Sequence, residues 1–214
     1  MSAGTTEIGA GPQAGACCSY AGKRAVDLVL VAILALPALL VALPAALAIR
    51  LTSAGPVLFR QERIGLGGRP FQLVKFRTMV AGDNPVFPDA TKITRVGRLL
   101  RRLSFDEIPQ LLNIIRGEMS VIGPRPTLAY QVERYDETQR RRLSVRPGVS
   151  GWAQLQGRNE IVWAQRIELD LEYIDRVQSP LADLRILVRS IVAALRGGGV
   201  DGHPADDPLA KIGP

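Results

Sequence analysis

The sequence feature best suited to chemistry is an adjacent pair of carboxylates, Asp106 and Glu107, which we call the carboxylate pair. One carboxylate could attack a phosphorus atom as a nucleophile, while its neighbour and nearby arginines adjust its charge. The pair also follows Ser104 at the spacing of a capping box, in which Ser104 caps a helix and Glu107 reaches back to the cap. The dipeptide alone leaves both interpretations open.

Several cations could hold the phosphates of such a substrate. Two are arginines in rigid loops, because prolines restrict the backbone of Gly-Pro-Arg-Pro and Arg-Pro-Gly. Two others, Lys75 and Arg77, are two residues apart on a predicted strand, so their side chains leave the same face. They could clamp phosphate or form an edge-strand charge pair, and ordinary turns also contain such arginines. The candidates are Lys75, Arg77, Arg101, Arg125 and Arg146.

Composition favours an anionic partner and excludes some kinds of site. The chain has 214 residues, with 27 Lys and Arg against 20 Asp and Glu, a formal net charge of +7. Nucleic acid, acidic lipid headgroups and phosphorylated substrates all fit this excess. The chain has a single histidine, His203, which argues against a histidine base or a histidine-built metal site. The sequence contains neither a P-loop nor a GxGxxG motif.

An apolar segment near the N-terminus predicts attachment to a membrane. Leu28 to Ile49 carries no charge over about 22 residues, which as a helix reach roughly 33 Å. A straight span, a cleaved signal peptide and a re-entrant helix each fit this length. Pro37 and Pro44 favour a break or kink within the run. Basic residues on both flanks favour a return to the cytoplasmic side.

Hydrophobic periodicity predicts the remaining elements. Val57–Phe59 and Phe71–Met79 read as two strands joined by a glycine-rich turn. Thr94–Leu103 predicts a basic amphipathic helix, and a similar one follows Leu181 near the C-terminus. A further helix from Glu160 to Arg176 would leave Asp170 on its polar side. Two basic amphipathic helices beside an apolar anchor favour lipid over nucleic acid as the anionic partner.

Six motifs, in order and in register, carry a family resemblance. They are Lys23-Arg24-x-x-Asp27, Gly55-Pro56-Val57-Leu58-Phe59-Arg60-Gln61, Lys75-Phe76-Arg77-Thr78-Met79, Leu103-Ser104-Phe105-Asp106-Glu107, Gly123-Pro124-Arg125-Pro126, and Arg146-Pro147-Gly148 through Gly151-Trp152-Ala153-Gln154. In these motifs the chain resembles the bacterial sugar transferases called monotopic phosphoglycosyl transferases. The resemblance extends from about Lys23 to about Val200.

This resemblance implies a reaction. In that family an aspartate attacks the β-phosphorus of a UDP-sugar, releases UMP and holds the phosphosugar covalently, with Mg²⁺ assisting. A polyprenol phosphate, such as undecaprenyl phosphate, then accepts the phosphosugar. Carried over here, Asp106 is the nucleophile and a metal ligand, and Glu107 is its partner. The five cations named above become phosphate or nucleotide contacts, and Asp170 matches a further acidic position of the family.

The resemblance also implies an α+β, mainly helical fold with a short β-hairpin and amphipathic interfacial helices. We expect a disordered leader at 1–22, a re-entrant membrane helix at 23–52, a catalytic domain at 53–200 and a flexible tail at 201–214. The catalytic domain would face the cytoplasm at the bacterial inner membrane. The family bends its anchor at Ser-Pro, whereas this chain has Leu-Pro at both Pro37 and Pro44.

A different class of function also fits the charge and the anchor. A membrane-tethered protein could bind anionic lipids without chemistry, or act as a scaffold for polysaccharide assembly. That alternative treats the carboxylate pair and both arginine loops as coincidence. The identity of the sugar and the pathway are open at this level.

Overall fold

The computed structural model describes residues 18–80, 90–157 and 161–196, and most of the expected leader and all of the expected tail lie outside these ranges. Within them the expectation of a mainly helical α+β chain with a long apolar N-terminal helix is confirmed. The α-helices are α1 Lys23–Thr52, α2 Arg95–Arg102, α3 Leu111–Arg116, α4 Ala129–Glu133, α5 Glu137–Arg140, α6 Trp152–Gly157, α7 Trp163–Glu172 and α8 Pro180–Leu195. The strands are β1 Leu58–Ile64, β2 Pro70–Phe76, β3 Ser120–Ile122 and β4 Gly148–Ser150.

Strands β1 and β2 form an antiparallel hairpin in which Phe59 pairs with Lys75. Its turn depends on Gly67 and Gly68, whose φ angles of 65° and 78° are costly for residues with a Cβ. Strand β2 is shorter than its sequence predicted, since the ladder ends at Phe76 rather than at Met79.

A second, parallel pair of strands joins the two arginine loops. Strands β3 and β4 are in register from Ser120 opposite Gly148 to Ile122 opposite Ser150. The backbones approach so closely that a Cβ on Gly148 would lie 2.1 Å from the nitrogen of Gly123. Glycine is therefore required where these loops meet.

The main core surrounds these strands and includes Ile114 of α3, Met119 just before β3, Ile122 of β3 and Ile186 of α8. Helix α7 packs into a second cluster through Trp163 and Ile167. The prediction that Asp170 lies on the polar side of this helix is wrong, because only 2% of the residue is exposed. Its buried partner, described below, explains this position.

Helix α1 continues through both of its prolines, so neither Pro37 nor Pro44 ends it. The break predicted at these prolines does not interrupt the helix. Among the described residues α1 is the one helix long and apolar enough to cross a membrane.

Both ends of α1 are bonded to the rest of the chain. At its start, Lys23 donates to Asp183 of α8 over 2.7 Å, while Asp27 accepts from the Ser120 hydroxyl and the Val121 amide at 2.8 and 3.0 Å. After its end, Arg77 donates to the carbonyl of Ser53 over 2.9 Å. The apolar helix is thus held to one folded unit at both ends.

The outer face of α1 is apolar and uncovered. Eight large side chains of the helix are more than half exposed: Val29, Ile33, Leu36, Leu39, Leu40, Leu43, Leu47 and Leu51. Helix α8 likewise exposes Leu181, Leu184, Val188, Ile191 and Leu195. Burying such side chains stabilises by about 1.5–3 kcal/mol each, so an acyl-chain environment is strongly preferred. The chain is a membrane-associated protein.

Asp183 should be a main determinant of stability. It accepts from Tyr20, Lys23 and Tyr173, and burial together with Asp183 raises the pKa of both tyrosines, which stay protonated donors. We expect Asp183→Asn to lower the free energy of unfolding by about 3–5 kcal/mol, because Lys23 loses its closest counter-charge. Thermal unfolding in detergent measures this.

Asp175→Asn is the matched control, since Asp175 pairs with Arg141 on the surface, where their side chains are 40% and 54% exposed. It should cost about 0–1 kcal/mol. Equal losses in the two variants would contradict the structural role of Asp183.

Candidate functional site

A cavity of about 430 Å³ lies between α1, α8 and the carboxylate pair. One wall is apolar and comes from the middle of α1, at Leu34, Pro37, Ala38 and Val41. Helix α8 adds a second apolar wall around Leu187 and its neighbours. Charged and hydrogen-bonding groups line the remainder, so the cavity offers both a lipid-like and a polar surface.

The carboxylate pair lies on a 3₁₀ helix, Phe105–Gln110, that runs directly into α3. The predicted capping box is wrong, because Ser104 has a left-handed backbone with φ 57° and its side chain caps nothing. Ser104 is the one non-glycine residue with positive φ in the described ranges. Such a conformation costs free energy and often accompanies a functional site.

Lys75 and Arg125 converge on the carboxylate pair. The Lys75 ammonium lies 2.8 Å from Glu107 Oε1 and 3.9 Å from Asp106 Oδ2. Arg125 Nη2 lies 3.2 Å from the same oxygen of Glu107. Glu107 therefore holds two cations in place, and one of them is also within ion-pair distance of Asp106. Asp106 lines the cavity with 4% of its surface exposed.

A buried ion pair positions the Arg125 loop. Arg142 donates to Asp170 over 2.6 Å, to the Tyr135 hydroxyl over 2.8 Å and to the carbonyl of Arg125 over 2.7 Å. Burial raises the pKa of Asp170, and the guanidinium of Arg142 acts in the opposite direction. The loop is also pinned from the other side, because Gly148 donates to the carbonyl of Pro124 over 2.8 Å.

Arg101 adds another cation to the cavity from the last turn of α2. Its Nε donates to the Thr78 hydroxyl over 2.9 Å, which ties it to the chain following β2. Gly97 permits this close packing, since a Cβ there would lie 2.0 Å from the carbonyl oxygen of Thr78. Lys75 and Arg125 thus lie beside the carboxylate pair, and Arg101 lines the same cavity.

Three predicted substrate contacts lie elsewhere. Arg77 is buried against the chain after α1, bonded to Ser53 and Ala54. Arg146 donates to the carbonyl of Gly117 over 2.8 Å and does not line the cavity. Asp170 is enclosed with Arg142. Their positions give them architectural roles, because the backbone carbonyls and the buried guanidinium that they bond would otherwise lose these partners.

Four polar residues that line the cavity were not among the predicted site residues. Arg166 of α7 is buried beside the Trp163 ring, with its guanidinium 5.7 Å from the ring centre. The others carry neutral hydrogen-bonding groups: Ser150, Gln154 and Ser190. Arg166 and Asp170 are four residues apart and so lie on one face of the helix, and this spacing was the one sequence signal that could have indicated Arg166. Single serines and glutamines carry no comparable pattern.

The donor set fits Mg²⁺ in one specific way. The described residues contain no group of three or more His, Cys, Asp or Glu side chains that could hold a metal. Mg²⁺ commonly binds one or two carboxylates and completes its shell with water and substrate phosphates. Asp106 on the cavity wall supplies the hard oxygen ligand that this mode needs.

The sequence matches known proteins across the same elements. A family model described as bacterial sugar transferase matches residues 18–197. The chain is 45% identical over 155 residues to the uncharacterised sugar transferase EpsL of Bacillus subtilis, covering 71% of this chain and 76% of that protein. It is 44% identical over 186 residues to a UDP-glucose:undecaprenyl-phosphate glucose-1-phosphate transferase of Caulobacter vibrioides. This match covers 81% of this chain and 69% of that protein. It is also 41% identical over 199 residues to the exopolysaccharide production protein ExoY of Sinorhizobium fredii. This match covers 83% of this chain and 87% of that protein.

We expect that even a lysine cannot replace Arg142, because the Arg142 guanidinium donates three hydrogen bonds in different directions. Arg142→Lys keeps the charge but cannot reach Asp170, Tyr135 and the Arg125 carbonyl in three directions at once. We expect a loss of about 2–4 kcal/mol in the free energy of unfolding, measured by thermal unfolding in detergent. The neighbouring, exposed Arg141→Lys should change stability by under about 1 kcal/mol. Similar losses in both variants would contradict a positioning role for Arg142.

Proposed function

The chain belongs to the bacterial sugar transferase family and is a phosphoglycosyl transferase, and we propose that it moves a sugar 1-phosphate from a UDP-sugar to a polyprenol phosphate through a covalent intermediate on Asp106. The observation that carries the proposal is the buried carboxylate of Asp106 on a cavity with cations on one side and apolar helices on the other. A non-catalytic tether or scaffold would require neither the cavity nor the cations converging on it.

The first step is an in-line displacement at phosphorus. An Asp106 oxygen attacks the phosphorus that carries the sugar, and a bond from Asp106 to phosphorus forms. The bridging phosphorus–oxygen bond of the diphosphate breaks, and its electron pair leaves with UMP. Arg101, Arg125 and Lys75 stabilise the charge that develops on the phosphoryl and leaving oxygens.

The second step returns Asp106 to its starting state. An oxygen of the polyprenol phosphate attacks the same phosphorus, and the bond to Asp106 breaks. The product is a polyprenol diphosphate sugar, and the carboxylate is regenerated without net proton uptake. The apolar wall from Leu34 to Val41 suits the first isoprene units of the acceptor, because it continues into the uncovered face of α1.

Mg²⁺ is part of this proposal. Asp106 would hold it together with the oxygens of the donor diphosphate, and Glu107 keeps Lys75 and Arg125 beside them. When bound, the ion supplies charge neutralisation of the diphosphate and of the departing UMP. The chain's own residues contribute the nucleophile and the fixed cations.

We further propose that α1 is re-entrant, with the catalytic domain on the cytoplasmic face of the inner membrane. The support is the polar bonding at both ends of α1, through Lys23 and Asp27 at its start and Arg77 after its end. A bilayer core is about 30 Å thick, so a span would separate these two sets of bonds from a single domain. Nucleotide sugars are made in the cytoplasm, where the donor would meet the cavity.

Asp106→Asn should abolish release of UMP. In the presence of Mg²⁺, polyprenol phosphate and a UDP-sugar, we expect a fall of at least about a thousandfold, because the amide is a poor nucleophile. Asp175→Asn, the same substitution at an exposed site, should retain full activity. A chromatographic assay of UMP measures both, and undiminished release by Asp106→Asn would remove it as the nucleophile.

The covalent intermediate can be trapped directly. Wild-type protein given a UDP-sugar without acceptor should carry the mass of a phosphosugar on the peptide containing Asp106. Asp106→Asn should not. Unmodified wild-type peptide under conditions of rapid turnover would favour direct transfer instead.

Topology can be read from two single cysteines. Cys18 is exposed just before α1, and Arg60 is exposed after it. We compare Cys17→Ser, which keeps Cys18, with Cys17→Ser/Cys18→Ser/Arg60→Cys. A membrane-impermeant maleimide should label both in inverted vesicles and neither in intact spheroplasts. Labelling of the two positions from opposite sides would establish a spanning helix.

A further inference from the structure

Three neutral polar side chains also line the cavity. They are Ser150 of β4, Gln154 of α6 and Ser190 of α8. The two serine hydroxyls lie 2.5 Å apart and share a hydrogen bond. We call these three residues the neutral patch. Its members come from three rigid elements, and hydrophobic neighbours such as Leu155 and Leu187 pack on the main core.

The neutral patch has unused hydrogen-bonding capacity. Gln154 Oε1 is buried and accepts no hydrogen bond from any residue that the structure describes. A hydroxyl pair that shares one bond keeps one proton to donate and further lone pairs to accept. A buried acceptor without a donor costs free energy, so the patch is suited to a ligand that brings an O–H or N–H group.

This chemistry differs from that around the carboxylate pair. Phosphate oxygens are acceptors and cannot satisfy the carbonyl oxygen of Gln154, whereas sugar hydroxyls both donate and accept. Lys75 and Arg125 lie beside the carboxylate pair, and Arg101 and Arg166 also line the cavity. The cavity thus offers cations suited to phosphate together with neutral groups suited to a polyhydroxylated ring.

We infer that the neutral patch is the subsite that selects the sugar of the donor, an inference that rests on the proposed phosphosugar transfer. The sugar must stay within reach of Asp106 through both steps, since it remains attached to the phosphorus there. The patch lines the same cavity as Asp106 and so fits this requirement. The orientation of the hydroxyl groups on the sugar ring then determines whether one of them donates a hydrogen bond to Gln154 Oε1.

The ribose and uracil of UMP also carry donors, and the experiment separates them from the sugar. We measure kcat/KM for UDP-glucose, UDP-galactose and UDP-N-acetylglucosamine, and the inhibition constant of UMP, for wild type, Gln154→Ala and Ser190→Ala. With the best donor, kcat/KM should fall about tenfold in each variant, as expected for one lost hydrogen bond. The preference among the three donors should shrink by a similar factor, and inhibition by UMP should stay unchanged.

Gln156→Ala is the matched control, because Gln156 lies two residues along α6 and is exposed. It should leave the preference among donors intact. Thermal unfolding of each variant identifies a folding defect, and Ser190→Ala keeps the test open if Gln154→Ala does not fold.

The possible failures are distinguishable. Weaker inhibition by UMP in Gln154→Ala and Ser190→Ala would assign the patch to the nucleoside and overturn the inference. An unchanged donor preference in both folded variants would also overturn it, while wild-type turnover would leave the proposed function standing. No UMP release by wild type from any UDP-sugar would instead count against the proposed function itself.

Discussion

The attachment of an apolar helix to a folded domain at both of its ends is the constraint on which the rest of this structure depends. Lys23 and Asp27 enter the domain as a buried ion pair, in which Lys23 also pairs with Asp183 and Asp27 accepts hydrogen bonds from the Ser120 hydroxyl and the Val121 amide. Charges buried this deeply are tolerated only when paired and hydrogen-bonded. Their pairing fixes the direction in which α1 leaves the domain, and therefore which face of α1 covers the cavity.

That geometry places an apolar surface and a charged surface in the same cavity. The middle of α1 and the inner side of α8 give the cavity apolar walls, while the 3₁₀ helix Phe105–Gln110 brings carboxylates to its polar part. A water-soluble diphosphate and a lipid phosphate can meet in such a place without either leaving its preferred environment. The apolar walls lower the local dielectric, so charges interact more strongly there than in bulk water.

The five candidate cations of the sequence divide into two groups in space. Lys75, Arg101 and Arg125 reach the cavity or its carboxylates, whereas Arg77 and Arg146 hold backbone carbonyls away from it. Arg142, which is buried with Asp170, supports the first group, because it also donates to the backbone carbonyl of Arg125. A motif residue can thus serve the reaction through the backbone that it fixes.

The sequence by itself determined the features that depend on neighbours in the chain. The hairpin, the amphipathic helices and the apolar anchor follow from periodicity, and the adjacency of Asp106 and Glu107 is covalent. Tertiary structure decided which charges meet, because Lys75 and Glu107 are 32 residues apart and Arg142 and Asp170 are 28 apart. Spacing along the chain carries no information on such distant pairs, so the local pattern assigns Asp170 to a polar face although its partner Arg142 buries it. The backbone of Ser104 was likewise set by packing rather than by the local pattern, which indicated a cap that the folded chain does not form.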